Sequence, residues 1–287
     1  MIDAHAHLWR LGDRPQPWLD PATMALIHRD HEWPELEAGL DAAGVAEAVL
    51  VQVVNDPDET TDFLDLAART DRLAGVVGWT DLLAPDVGDR LDELAARGPL
   101  VGVRHQAQAE ADPGAWLAAF AAGPGPRALA ERDLACDLML RPAQLELCAG
   151  VVASYDELHW VLDHAGKPPV AGGWRTPAGR EWARLVARLG ELPQLRVKLS
   201  GLTTMADPAR WSIADLEPWV DHLLAVFGPD RLLFGSDWPV SRRAGEYART
   251  VDAVRVLLAR LSPAEQDRIL RGVAVETYRL RRSAEGA

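Results

Sequence analysis

Ala48-Val-Leu-Val-Gln-Val-Val54 is the stretch on which the fold turns. Its first four residues are apolar without alternation, which suits a strand covered on both faces rather than one with a wet side. Seven further apolar runs recur along the chain: Ile2 to Leu8, Leu73 to Trp79, Leu100 to His105, Cys136 to Leu140, His159 to Asp163, Leu195 to Leu199 and Arg231 to Gly235. Between the runs lie segments such as Val87, Leu91, Leu94 and Ala95, and later Val220, Leu223, Leu224 and Phe227, in which apolar residues return at helical spacing. Strands alternating with helices imply a parallel sheet. Eight repeats in 287 residues match the size of a closed barrel. The expectation is an α/β protein made of a single (β/α)8 TIM-type barrel domain over 1–287. An open doubly wound sheet is the alternative, but no G-x-G-x-x-G turn follows any of these runs to support a nucleotide site.

Thirty Lys and Arg against 43 Asp and Glu leave a net charge of −13. Such a chain lacks the basic surface that neutralises nucleic-acid phosphates or docks on anionic membranes. No window approaches 18 consecutive apolar residues, and the chain starts Met-Ile-Asp-Ala-His rather than with a basic and then apolar leader. A soluble, cytoplasmic protein is expected. Cys136 and Cys148 are too few to make a disulfide framework and read as buried free thiols. Only two of the basic residues are lysines, Lys167 and Lys198, and 11 tryptophans outnumber Phe and Tyr together.

In a barrel of this kind the C-terminal strand ends converge on one mouth. The first run ends in His5-Ala6-His7, the second carries Gln52, and the fourth ends in Arg104-His105. The fifth leads to Arg141, the sixth ends in Asp163-His164, the seventh in Lys198 and Ser200, and the eighth in Ser236-Asp237. Ionisable groups this dense at the ends of apolar strands are costly to desolvate without a purpose. His5 and His7 stand on one side of a strand, where they can share a metal ion or a substrate oxygen. Each residue also has an ordinary reading: a solvent-facing histidine pair, a hydrogen-bonded loop histidine at His164, a helix N-cap at Asp237. Their joint occurrence at the same ends of three strands points to a site.

The same residues resemble the amidohydrolase superfamily, in its lactonase branch of fuconolactone-, rhamnonolactone- and pyrone-dicarboxylate-type hydrolases. The similarity rests on Ile2-Asp-Ala-His-Ala-His-Leu-Trp9, Gly102-Val-Arg-His105, Asp137-Leu-Met-Leu-Arg-Pro-Ala-Gln-Leu145, Val161-Leu-Asp-His-Ala-Gly-Lys-Pro168, Lys198-Leu-Ser-Gly-Leu202 and Phe234-Gly-Ser-Asp-Trp-Pro-Val240. Gln108 and Glu110 are similar to a stretch of the aldonolactonases, which implies a sugar-lactone substrate and a place in carbohydrate metabolism.

The resemblance implies that Asp237 takes a proton from the attacking water and returns it to the leaving alkoxide. His5, His7 and His164 would face the lactone carbonyl, polarising it with help from Arg104 or His105, or holding a divalent metal that does so. Two-metal relatives bridge their ions with a carboxylated lysine, and the fourth strand here offers Arg104 instead, so a two-metal centre is not expected. A single Zn²⁺ on His5, His7 and Asp237, with or without His164, and metal-free catalysis both stay open.

Lys167 reads as charge for the lactone oxygens or the product carboxylate, or as a solvated loop lysine. Lys198 has the same first reading, or faces a water-filled barrel end or pairs with a carboxylate. Trp9, Trp79, Trp174 and Trp238 lie where a flat face can stack on a sugar-derived ring. Gln52, Arg141 and Ser200 complete the set of substrate contacts, while Trp182 and Trp219 read as core. Two other functions compete: decarboxylation of a conjugated acid, and a silent barrel that only binds a ligand. The oligomeric state is not written in the sequence.

Overall fold

The computed structural model of the protein describes residues 1–281. Eight strands form one sheet in chain order: β1 Ile2–Ala6, β2 Glu47–Val51, β3 Leu73–Gly78, β4 Leu100–His105, β5 Ala135–Leu138, β6 Trp160–Leu162, β7 Leu195–Leu199 and β8 Leu232–Phe234. Every neighbouring pair is parallel. The ring closes just past β8, where His7 N donates to Trp238 O at 2.7 Å and Asp237 N donates to His5 O at 2.8 Å. All eight apolar runs are strands, and the structure is the (β/α)8 barrel.

β2 shows why the runs lack alternation. Val49 and Val51 face the barrel interior while Ala48 and Leu50 face the surrounding helices, and all four are fully buried. Each such side chain contributes about 1.5–3 kcal/mol of burial for the larger residues. Inside the barrel, Ile2, Val101 and Leu233 pack against Val273, Ala274, Tyr278 and Leu280 from the end of the chain. This C-terminal segment plugs the end of the barrel opposite the mouth.

The outer layer includes the helices Trp33–Ala43, Pro57–Ala67, Val87–Ala95, Leu145–Ala153, Pro177–Leu189, Ile213–Phe227 and Tyr247–Leu258. Trp182 and Trp219 are fully buried in it, 5.1 Å apart in a T-shaped pair. Cys136 and Cys148 are buried free thiols. Among the described residues no helix is long and apolar enough to cross a membrane.

Candidate active site

β1 delivers His5 and His7 from alternate positions on the same face. His7 Nδ1 donates to Val51 O at 2.7 Å, which leaves Nε2 to face the Asp237 carboxylate at 3.6 Å. His5 Nε2 lies 3.1 Å from His7 Nε2. Past β6 the chain breaks from the sheet, with His164, Ala165 and Lys167 at φ of 52°, 52° and 57°. His164 thereby turns its Nδ1 to Ser200 Oγ at 2.9 Å and its Nε2 towards Asp237 at 4.0 Å. Asp237 is itself at φ 60°. Left-handed backbone at non-glycine residues is strained, and here it gathers at one site. The Asp237 carboxylate faces His7 and His164 rather than capping a helix.

A cavity of about 360 Å³ opens above these groups. His7, His164, Asp237, Arg104, Gln108 and Lys167 line it, together with the apolar Met24, Val53, Met139, Met205 and Val240. Lys167 Nζ donates to Gln108 Oε1 at 2.5 Å. Burial lowers Lys167 to about 8, against the opposing pull of Asp237, and lowers His164 to about 4. His5 is held well below its usual value, by burial first and then by the Lys198 ammonium. The site's imidazoles His5 and His164 are therefore neutral near pH 7.

Under the cavity lies a buried layer of charge. Arg104 donates to Asp163 Oδ2 at 2.9 Å and also to Gln52, through both its backbone and side-chain oxygens. Lys198 is an ion pair with Asp137 at 2.5 Å and with Asp163 at 3.0 Å. It takes the carboxylate-paired alternative foreseen for it and does not reach the cavity. Burial would raise Asp163, but Lys198, His5 and Arg104 hold it well below the usual carboxylate range. Asp137 is pushed up to about 6 by burial, against Lys198.

Several expected contacts fall elsewhere. His105 follows the inward Arg104 and so points outward. It accepts from Trp79 Nε1 at 3.1 Å, lies 2.7 Å from Glu110 and stacks on Trp116 at 4.0 Å, which removes His105, Trp79 and Glu110 from the cavity together. Trp9 and Trp238 both pack edge-on against His31. Trp174 packs against Trp219 at 5.1 Å in the outer layer. Gln52 is fully buried and holds Arg104, Ser200 stands behind His164, and Arg141 lies outside the lining. Sequence reasoning passed over Trp18, Met24, Gln106, Met139, Thr204, Met205 and Arg243, which do line the cavity. Arg243 faces it while its neighbour Arg242 turns away to Glu35 at 2.5 Å and Glu246 at 3.2 Å. Only Gln106 carried a signal, since it is two residues beyond Arg104 and shares its direction.

His5, His7 and Asp237 offer ligand atoms within 4.8 Å of one another, as do His5, Asp163 and His164. The first set fits a single divalent ion better. His7 has its Nδ1 committed to a carbonyl, which frees Nε2 as a ligand, whereas Asp163 is already engaged by Arg104 and Lys198.

A parallel eight-stranded barrel whose β1 and β6 imidazoles meet a β8 carboxylate at the C-terminal mouth defines a TIM-barrel hydrolase. The chain belongs to the amidohydrolase family, which it matches over residues 2–280. An L-fucono-1,5-lactonase of Burkholderia multivorans is 37% identical over 292 residues, covering 99% of this chain and 97% of that one. A crystal structure of a Burkholderia multivorans amidohydrolase with bound HEPES is 37% identical and superposes with a TM-score of 0.92, covering 98% of this chain and 99% of that one. A second, with bound zinc, is 38% identical with a TM-score of 0.90 over the same shares.

Proposed function

We propose that the protein hydrolyses a sugar lactone, an aldonolactone, to its open hydroxyacid. The observation that carries this reading is the Asp237 carboxylate, 3.6 Å from His7 Nε2 and 4.0 Å from His164 Nε2, at the wall of a cavity with both polar and apolar faces. The lactonase that is 37% identical across 99% of the chain supports it.

With the lactone carbonyl against His164, a water beside Asp237 and the bare Nε2 of His7 attacks the carbonyl carbon as the carboxylate takes its proton. When the ring C–O bond breaks, Asp237 returns that proton to the departing alkoxide. Neutral His164, with Ser200 Oγ donating to its Nδ1, presents an Nε2–H to the oxygen that gains charge. Lys167 and Arg104 bring positive charge to the same cavity, suited to the oxyanion and then to the product carboxylate. Met24, Met139, Met205 and Val240 shield the carbon skeleton from water. His5, His7 and Asp237 would hold one zinc ion, and such an ion supplies Lewis-acid polarisation of the carbonyl. The reading assigns the protein to carbohydrate metabolism in the cytoplasm.

The test is a pH-indicator screen over aldono-1,4- and 1,5-lactones, with pyrone and muconolactone types alongside. Proton release is expected to be fastest with an aldonolactone. Release of carbon dioxide from a conjugated acid, with no lactone opened, would overturn the proposal.

A further inference from the structure

The barrel closes where β1 meets the segment after β8, and a side chain shares that seam with the backbone. Between Asp3 and Ala6 the register of β1 slips: Asp3 stands opposite Ala48 and Ala6 opposite Leu50, which leaves one residue more on β1 than on β2. An extra residue of this kind bends a strand and re-aims the side chains beside it, and His5 lies within the slip. Across the seam run the backbone bonds from Asp237 N to His5 O and from His7 N to Trp238 O. Just below them two amides converge on one carboxylate oxygen. His5 N donates to Asp3 Oδ1 at 3.1 Å, and Ser236 N donates to the same atom at 2.8 Å. Tyr247 Oη donates to Asp3 Oδ2 at 3.0 Å. Asp3 and Ser236 are fully buried, so water cannot stand in for the acceptor. All three partners are neutral donors, and the carboxylate serves as an acceptor rather than as a counter-charge.

We propose that Asp3 is a positioning residue whose carboxylate splices the two ends of the barrel and so fixes His5 and His7 against Asp237. The amides it joins belong to His5 itself and to Ser236, the residue before Asp237. Ser236 Oγ accepts from Trp238 N at 3.0 Å, which carries the splice past Asp237 to its other side. Asp237, at φ 60°, is thus gripped on both flanks, as a strained backbone must be to persist. Tyr247 holds the carboxylate from the outer layer, where it opens the helix Tyr247–Leu258 and packs so closely on Gly39 that a Cβ there would stand 3.2 Å from its ring. Loss of the shared acceptor lets β1 and the Asp237 segment move apart, and small displacements of reacting groups are costly in rate. This role rests on Asp237 acting with His7, as proposed above, and not on which ring the cavity takes.

Two variants separate the acceptor from the charge. Asp3→Asn keeps an oxygen for both amides and turns its NH2 to Tyr247 Oη, which can accept as well as donate; Asp3→Ala removes the acceptor. With the lactone that wild type opens fastest, kcat is expected to fall about 10- to 100-fold in Asp3→Ala at nearly unchanged KM, and to return to within about threefold of wild type in Asp3→Asn. Hydrogen exchange followed by ¹H–¹⁵N spectra is expected to show the His5 and Ser236 amides as protected as those of the barrel strands in wild type and Asp3→Asn, and faster in Asp3→Ala. A folded Asp3→Ala protein with wild-type kcat overturns the proposal, whatever its stability. So does an Asp3→Asn protein as slow as the alanine variant, which would assign the effect to charge. Should Asp3→Ala fail to fold, the wild-type amides decide, and loop-like exchange at both overturns the splice. Should wild type open no lactone, the lactonase reading falls by itself and the same amides judge Asp3.

Discussion

His7 Nε2 and Asp237 Oδ1, from opposite ends of the chain, lie 3.6 Å apart. The contact exists because the barrel closes there, β1 and the segment after β8 sharing the backbone bonds of His5, His7, Asp237 and Trp238. Gly235 permits the approach: a Cβ on it would stand 2.6 Å from His5 Cβ. Gly235→Ala is expected to cost about 1–3 kcal/mol in overpacking and to lower kcat by spreading the two strands. Urea unfolding and steady-state rates on the same preparation check both effects; an alanine variant with wild-type stability and rate would contradict the close approach.

The charge on Lys167 should appear in the pH profile. Its folded value of about 8 lies below the usual lysine range because of burial. The ammonium is present below that pH and lost above it, so kcat/KM should fall as pH rises through about 8, after correction for hydroxide-driven lactone opening. Lys167→Met is expected to show lower activity without that limb, and an unchanged limb in this variant would exclude Lys167 as its source.

Arg243 reaches the cavity from the turn after β8. Arg243→Gln is expected to raise KM several-fold with a smaller change in kcat, the pattern of a contact made equally to ground and transition states. Equal loss of kcat and kcat/KM would instead place the guanidinium at the reacting carbonyl.

Glu59 links pH to stability rather than to chemistry. It is 2% exposed and accepts from Val53 N at 2.7 Å and Val54 N at 3.1 Å, so it holds the wall of the cavity. Burial raises it to about 7 from the ordinary 4.5. The folded state binds this proton more tightly than the unfolded chain. Its contribution is complete below the unfolded value and is lost as pH rises through about 7, a change of roughly 3 kcal/mol. Glu59→Gln keeps both acceptor contacts and should flatten the dependence. Unfolding at pH 5 and pH 8 measures it, and identical slopes in both proteins would refute it.

The barrel was legible because doubly covered strands need continuous apolar runs, and each of the eight runs is one. The site was legible where chemistry and strand direction agree, at His5, His7, His164 and Asp237. It was less so where residue type gave no direction. Trp9, Trp174 and Trp238 have the flat faces that suit a sugar ring, yet packing claims all three. His105 could have been set aside from sequence, since consecutive strand residues face opposite ways and Arg104 points inward. Trp18, Met24 and Arg243 had no such signal, because their approach to the cavity depends on the course of the loops. The pairing of Lys198 with Asp137 and Asp163 joins β7 to β5 and β6, a relation that appears only when the sheet curls into a barrel.

The most direct test of the proposed chemistry is Asp237→Asn assayed for proton release from the aldonolactone that wild type opens fastest. With the fold retained by circular dichroism, kcat is expected to fall by about 10²–10⁴, the usual span for removing a general acid–base. Turnover at the wild-type rate in that variant would contradict the assignment of Asp237 as the proton carrier, and with it the account of how this site works.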